Sequence, residues 1–150
     1  MSETEYFQSL EKVDEVKKYL HEIKSLEKRI KNKQDELQQL WCLTTSITAP
    51  TDREPIQLSG VTDKVGNGVV KMQEIEAEIK VAIVTFIYEK NRRIKLIETL
   101  ENPIEYTVVY EHYVNYKKLS QIAEEENFCS QYISEVHRNA LKKLTTLQNL

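Results

Sequence analysis

The sequence predicts an all-α fold: a long antiparallel helical hairpin or coiled coil, followed by a short helix-turn-helix. Three observations carry this. Apolar residues recur at helical spacing over most of the chain. Only three Gly and three Pro interrupt its 150 residues. The last third holds two shorter apolar patterns joined at an Asn. A content of 40% hydrophobic and 30% charged residues suits long helices better than sheets. The expected organisation is a helical hairpin over 1–101, with a loop at 44–61, and a helix-turn-helix module over 102–150.

The first helix is expected from about residue 4 to 43. Val16, Tyr19, Ile23, Leu26, Ile30, Leu37 and Leu40 fall on alternating a and d positions of a heptad, with Leu20 and Trp41 beside them at e. At ~1.5 Å per residue such a helix is roughly 60 Å long, too long for a compact monomer to cover alone. Its stripe needs a second helix of this chain or the same helix of another copy. Lys33, at a d position, either sets register or carries its amine out to solvent. KRIKNK at 28–33 is interleaved with Glu and reads as a solvated face, with phosphate binding as the alternative. From Thr44 to Gly60 the Thr, Ser and Pro residues favour turns and extended backbone. A loop that long is either functional or mobile.

A second long helix is expected from Thr62, whose hydroxyl suits a cap, with Asp63 in its first turn. Its stripe is Val65, Val69, Met72, Ile75, Ile79, Ile83, Phe86, Ile94, Ile97 and Leu100. Gly66 and Gly68 should let its start fray. Val81 to Ile87 is apolar on nearly every side, which implies burial against more than one neighbour. Lys90 to Lys95, KNRRIK, is the densest basic cluster; it reads as an exposed face, with contact to a DNA backbone as the alternative. Asn102 and Pro103 are a cap and a first helical residue. The helix they open runs to about Val114 and carries Tyr106, Tyr110 and Tyr113 on one face, a core stripe rather than a stacking platform for bases. Asn115 and Tyr116 then turn the chain.

Lys117 to Leu144 reads as helix, tight turn, helix. Leu119, Ile122 and Ala123 face inward from the first, and Ile133, Val136, Ala140, Leu141 and Leu144 from the second. The small Ala123 permits close backbone approach where two short helices cross steeply. Asn127 supplies the left-handed turn residue. This is the layout of a DNA-binding helix-turn-helix whose second helix enters the major groove; a plain helical hairpin is the competing reading.

No catalytic pattern is found. GNG at 66–68 lacks the Lys-Ser/Thr and the preceding strand of a phosphate loop. His21, His112 and His137 are far apart in sequence and distant from Cys, so no zinc or other metal site and no cofactor is expected. No nucleophile signature appears, and Glu124 to Glu126 read as a solvated face. Cys42 and Cys129 are expected as free thiols in a reducing compartment. No apolar run approaches the roughly 20 residues of a membrane span, and MSETEYFQSLEK has no secretory core. A cytoplasmic protein without a membrane partner is therefore expected. The net charge of −3 means that any DNA contact depends on local placement of cations.

Ile122 to Leu144 resembles, without a gap, the last DNA-binding region (region 4) of bacterial sigma factors. The matching residues are Ile122-Ala123, Asn127, Ile133 and Ala140-Leu141-Lys142-Lys143-Leu144. With Leu40 to Thr45 (LWCLTT), Asp63-Lys64-Val65-Gly66 and Tyr113-Val114, the wider chain is similar to phage-encoded sigma-region-4-like regulators, the ArpU/RinA-type late transcription activators of Gram-positive hosts. The resemblance implies a phage or prophage transcriptional regulator in a bacterial cytoplasm, an activator of late genes and not an enzyme. Its partners would be double-stranded DNA and possibly host RNA polymerase. By the same motif Ser130, Gln131, Ser134 and Glu135 would face base edges, and Lys117, Lys118, Arg138 and Lys142 would hold phosphates. The capping position of the motif is Cys129, so Ser130 is expected to take that role and shift the helix start by one. Residues 117–150 hold five Lys and Arg against four Glu, a net of +1, so one copy should bind DNA weakly. Either a homo-oligomer formed through the N-terminal helices or a partner such as polymerase would make up the rest. The alternative is a non-catalytic coiled-coil interaction protein, or a polymerase-binding factor that does not read DNA sequence.

Overall fold

The structure, a computed structural model, describes residues 2–48 and 61–148, with side chains left aside over 46–48 and 61–67. Its regular elements are all helices: α1 (Glu3–Thr48), α2 (Val61–Glu98), α3 (Pro103–Tyr113), α4 (Leu119–Glu125) and α5 (Ser130–Gln148). Ser2 and Glu5 open α1 as a capping box, the Ser2 N–H donating to the Glu5 carboxylate at 3.0 Å and the Glu5 N–H to the Ser2 hydroxyl at 3.3 Å. The loop expected from Thr44 starts later. Thr44 to Thr48 continue α1, where the hydroxyls of Thr44 and Thr45 donate to carbonyls of the preceding turn. The rest of that loop falls outside the described residues. Thr62 stands inside the first turn of α2 rather than before it, and the backbone at Gly66 and Gly68 is helical. The side chains of Thr62, Asp63 and Val65 are outside the described ones.

Contacts group the chain into two units, 1–27 with 88–150, and 28–87. The grouping does not follow the expected boundary near 101, because the first part of α1 places its apolar stripe among the C-terminal helices. Val16, Leu20 and Ile23 of α1 share one core with Ile97 and Leu100, with Val109 and Tyr113 of α3, and with Ala140, Leu141 and Leu144 of α5. The α1 stripe is thus covered within the chain here, and it needs no second copy to leave water.

In this first unit the chain directions of α1 and α2 are opposed, Glu22 meeting Arg93 and Glu27 meeting Lys90. Arg93 is only 7% exposed. Its Nε donates to the Tyr19 carbonyl at 3.0 Å, its Nη1 to the Glu89 carbonyl and carboxylate, its Nη2 to Glu22, and it lies 4.2 Å from the Tyr19 ring centroid. KNRRIK is therefore not the plain exposed face expected: Lys90, Arg92 and Arg93 all enter ion pairs.

In the second unit α1 and α2 are again antiparallel. Arg29 lies over Phe86, and Trp41 Nε1 donates to Glu76 at 3.2 Å. Lys33 carries its amine outward to Glu36, 3.0 Å away. With two helices, each shields only one side of the other. Val81 and Val84 are 66% and 68% exposed, so the burial of 81–87 expected against more than one neighbour is absent. Val69 and Ile75, placed on the buried stripe by their spacing, also lie in solvent.

Asn102 caps α3 as expected, its Oδ1 accepting from the Ile104 N–H at 3.1 Å, with Pro103 following. An Asn102→Ala variant should lose about 1 kcal/mol of stability in urea denaturation. Tyr113 is buried, and Tyr106 stacks on Tyr110 with ring centroids 5.4 Å apart, both packed against the core, so the tyrosine face is structural. Lys143 of α5 clamps the buried Glu105 of α3 through two 2.9 Å contacts.

Candidate nucleic-acid interface

The four residues 126–129 join α4 to α5. A small core of Val108, Ile122, Ala123, Ile133 and Val136 fixes the two helices against each other and against α3, with Ile104 and Leu119 packed beside it. Ala123 is 2% exposed, as close approach of the helices requires. Asn127 has φ 59°, the left-handed conformation that ends α4. The Asn127 N–H donates to the Glu124 carbonyl at 3.3 Å and the Phe128 N–H to the Ala123 carbonyl at 2.9 Å, the paired bonds of a Schellman cap. Tyr116 also has a positive φ, 60°. Its hydroxyl donates to Glu27 and its ring sits 5.4 Å from the Lys24 ammonium, two contacts that hold a bulky residue in that strained region.

The start of α5 differs from expectation. The Ile133 N–H donates to the Cys129 carbonyl at 3.2 Å, so Cys129 keeps the cap position and Ser130 is the first helical residue. The buried stripe of α5 is Ile133, Val136, His137, Ala140, Leu141 and Leu144. Its opposite side therefore faces solvent. There Ser130, Gln131, Ser134, Glu135 and Arg138 line one shallow depression. The four residues expected to face bases and one expected to hold phosphate are thus brought together. Lys142 lies one turn beyond Arg138, and both also line a groove of about 690 Å³ beside α1.

The other two expected phosphate ligands are elsewhere. Lys117 bridges Glu111 and Glu125 at 2.8 Å each, across the turn from α3 to α4. Those two carboxylates push its pKa up, and Lys117 holds that of Glu111 down. Its charge is engaged in tying α3 to α4. Lys118 is exposed at the cap of α4 and makes no side-chain capping bond.

The largest departure from expectation is histidine. The fold gathers the three residues that are far apart in sequence around Tyr113. Ring centroids are 6.2 Å apart for His21 and His112, 5.3 Å for His112 and His137, and 5.0 Å for His21 and Tyr113. His137 Nε2 lies 2.9 Å from the Tyr113 hydroxyl, and His112 Nδ1 lies 2.7 Å from the Lys117 carbonyl. Burial lowers the pKa of His137 to about 4, assisted by His112, Lys17, His21 and Arg138; burial and His112 lower that of His21. A neutral His137 accepting from the Tyr113 hydroxyl satisfies both buried groups. Among the described residues, no set of His, Cys, Asp and Glu is arranged to hold a metal ion. Cys42 and Cys129 are free and exposed.

No family model, curated protein or solved structure matches the chain. Among the described residues, no helix is long and apolar enough to cross a membrane.

Proposed function

We propose that this protein is a DNA-binding transcriptional regulator that reads duplex DNA through the exposed face of α5. The observation that carries the reading is the depression formed by Ser130, Gln131, Ser134, Glu135 and Arg138 on the second helix of a tightly cored helix-turn-helix. Gln suits adenine and Glu accepts from cytosine in the major groove. Arg138 and Lys142 flank that face, form no ion pair among the described residues and are free to meet phosphates. The resemblance of Ile122 to Leu144 to sigma region 4 extends the proposal to a phage-type late-gene activator without catalytic activity, working in a bacterial cytoplasm. With Lys117 engaged by Glu111 and Glu125, few phosphates are neutralised, so binding is weak and its salt slope shallow. RNA polymerase, or a further copy on a second half-site, supplies the remaining affinity.

The test is fluorescence anisotropy of a labelled duplex titrated at several salt concentrations. Arg138→Ala and Lys142→Ala should each lower the slope of log K against log salt by roughly 1. Absence of duplex binding by the wild-type chain at low salt, with and without polymerase, contradicts the reading. A second reading, an interaction module that does not read DNA, is favoured by one observation: Lys117 and Lys143 are spent on internal pairs with Glu. It predicts that Gln131→Ala and Glu135→Ala leave promoter activation intact.

A further inference from the structure

The groove between the N-terminal part of α1 and the middle and end of α5 has a chemistry that α5 alone does not supply. Its floor is apolar, with Leu10, Val13, Leu119 and Leu141, and three cations stand on it: Lys17 from α1, and Arg138 and Lys142 from α5. None of the three forms an ion pair among the described residues, whereas Lys90, Arg93, Lys117 and Lys143 of the same unit all do. One acid, Asp14, lines the groove, which leaves it a net charge of +2 (three cations, one carboxylate) in a chain of net −3. The hydroxyls of Tyr6 and Ser134, on two residues that also line it, are able to donate to an oxyanion, whereas those of Ser9 and Thr145 already donate to the Tyr6 and Lys142 carbonyls. Lys17 and Arg138 line the same groove from two different helices, with His137 also in its wall. An apolar floor strengthens the field of such cations relative to open water.

We propose that this groove is a phosphodiester-binding seat in which Lys17 completes the pair Arg138 and Lys142, so that α1 carries part of the DNA-backbone footprint. The inference rests on the DNA reading of α5 and adds a residue that no helix-turn-helix pattern assigns. Its consequence is that the 117–150 segment is short of cations only when considered alone.

Anisotropy titrations of the full chain with a labelled duplex separate the two levels. Lys17→Ala should weaken binding roughly five- to tenfold near 0.1 M salt and lower the salt slope by about 1, and Lys17→Arg should restore both. Lys18→Ala, an exposed neighbour that does not line the groove, should change neither. Circular dichroism at the same concentrations checks that helicity is unaltered. If the wild type binds no duplex, the DNA reading itself fails. If it binds and Lys17→Ala binds equally well, or Lys18→Ala weakens binding as much, the seat is overturned. Inorganic phosphate at millimolar concentration should displace duplex no better than chloride of equal ionic strength; stronger displacement that depends on Lys17 assigns the groove to free phosphate and overturns the backbone assignment.

Discussion

Acidification from pH 7 to pH 4 should remove about 3 kcal/mol of stability through His137 alone. The ring is buried, and its pKa falls from the ordinary 6.5 to about 4 in the folded chain. Above pH 6.5 the ring is neutral in both folded and unfolded states, and its contribution is fully present. Between 6.5 and 4 the unfolded chain takes up the proton and the folded one does not, so stability falls as pH falls. A difference of that size corresponds to about 3 kcal/mol at ~1.36 kcal/mol per pKa unit. The neighbours reinforce the sign. His21 and Lys17 on α1, His112 on α3 and Arg138 on α5 all oppose a charge on His137, while Tyr113 is satisfied by its neutral form. Urea denaturation at pH 7 and pH 4.5 should show the loss in the wild type. His137→Gln, which does not titrate, should be markedly flatter over that interval; an equal pH dependence in both would refute the assignment.

Leu20→Ala should cost about 2–5 kcal/mol, although Leu20 lies nearly a hundred residues before the helix-turn-helix it supports. The side chain is fully buried in the core that α1 shares with Val109, Tyr113, Ala140 and Leu144. Removing its methyl groups opens a cavity in a core built with three other helices. The loss should appear in the near-ultraviolet signal of the tyrosines of α3 as well as in total helicity. A change below about 1 kcal/mol would mean that the C-terminal helices hold together without α1.

Leu20 also shows what the sequence did and did not reveal. The helices, the Asn102 cap and the left-handed Asn127 follow from local rules, and the structure agrees with each. The heptad stripe of α1 was equally legible, but period alone does not say what covers it. Val16, Leu20 and Ile23 are covered by three other helices of their own chain. The same limit explains Val81 and Val84: apolar character shows what burial would gain, not whether a neighbour is present. The four residues of the α5 face could be placed together because they share one helical surface. Lys117 could not be excluded, since its partners Glu111 and Glu125 are set by the turn between α3 and α4. The histidine cluster was partly visible. His137 sits at helical spacing from Ile133, Ala140 and Leu144 and so belongs to the buried stripe, but His21 reaches it only through the tertiary fold. Lys17 stood one residue after the core position Val16 and gave no local sign of facing the same groove as Arg138.

The most direct test is selection of bound duplexes from a random-sequence pool by the 150-residue chain at low salt. An α5 face that reads bases should enrich a short defined site. A variant with Gln131→Ala, Ser134→Ala and Glu135→Ala, whose changes lie on an exposed surface, should keep the wild-type fold and lose that site while retaining weak sequence-independent binding. Equal recovery of all sequences by the wild type, or the same site enriched by the triple variant, would contradict DNA reading through α5.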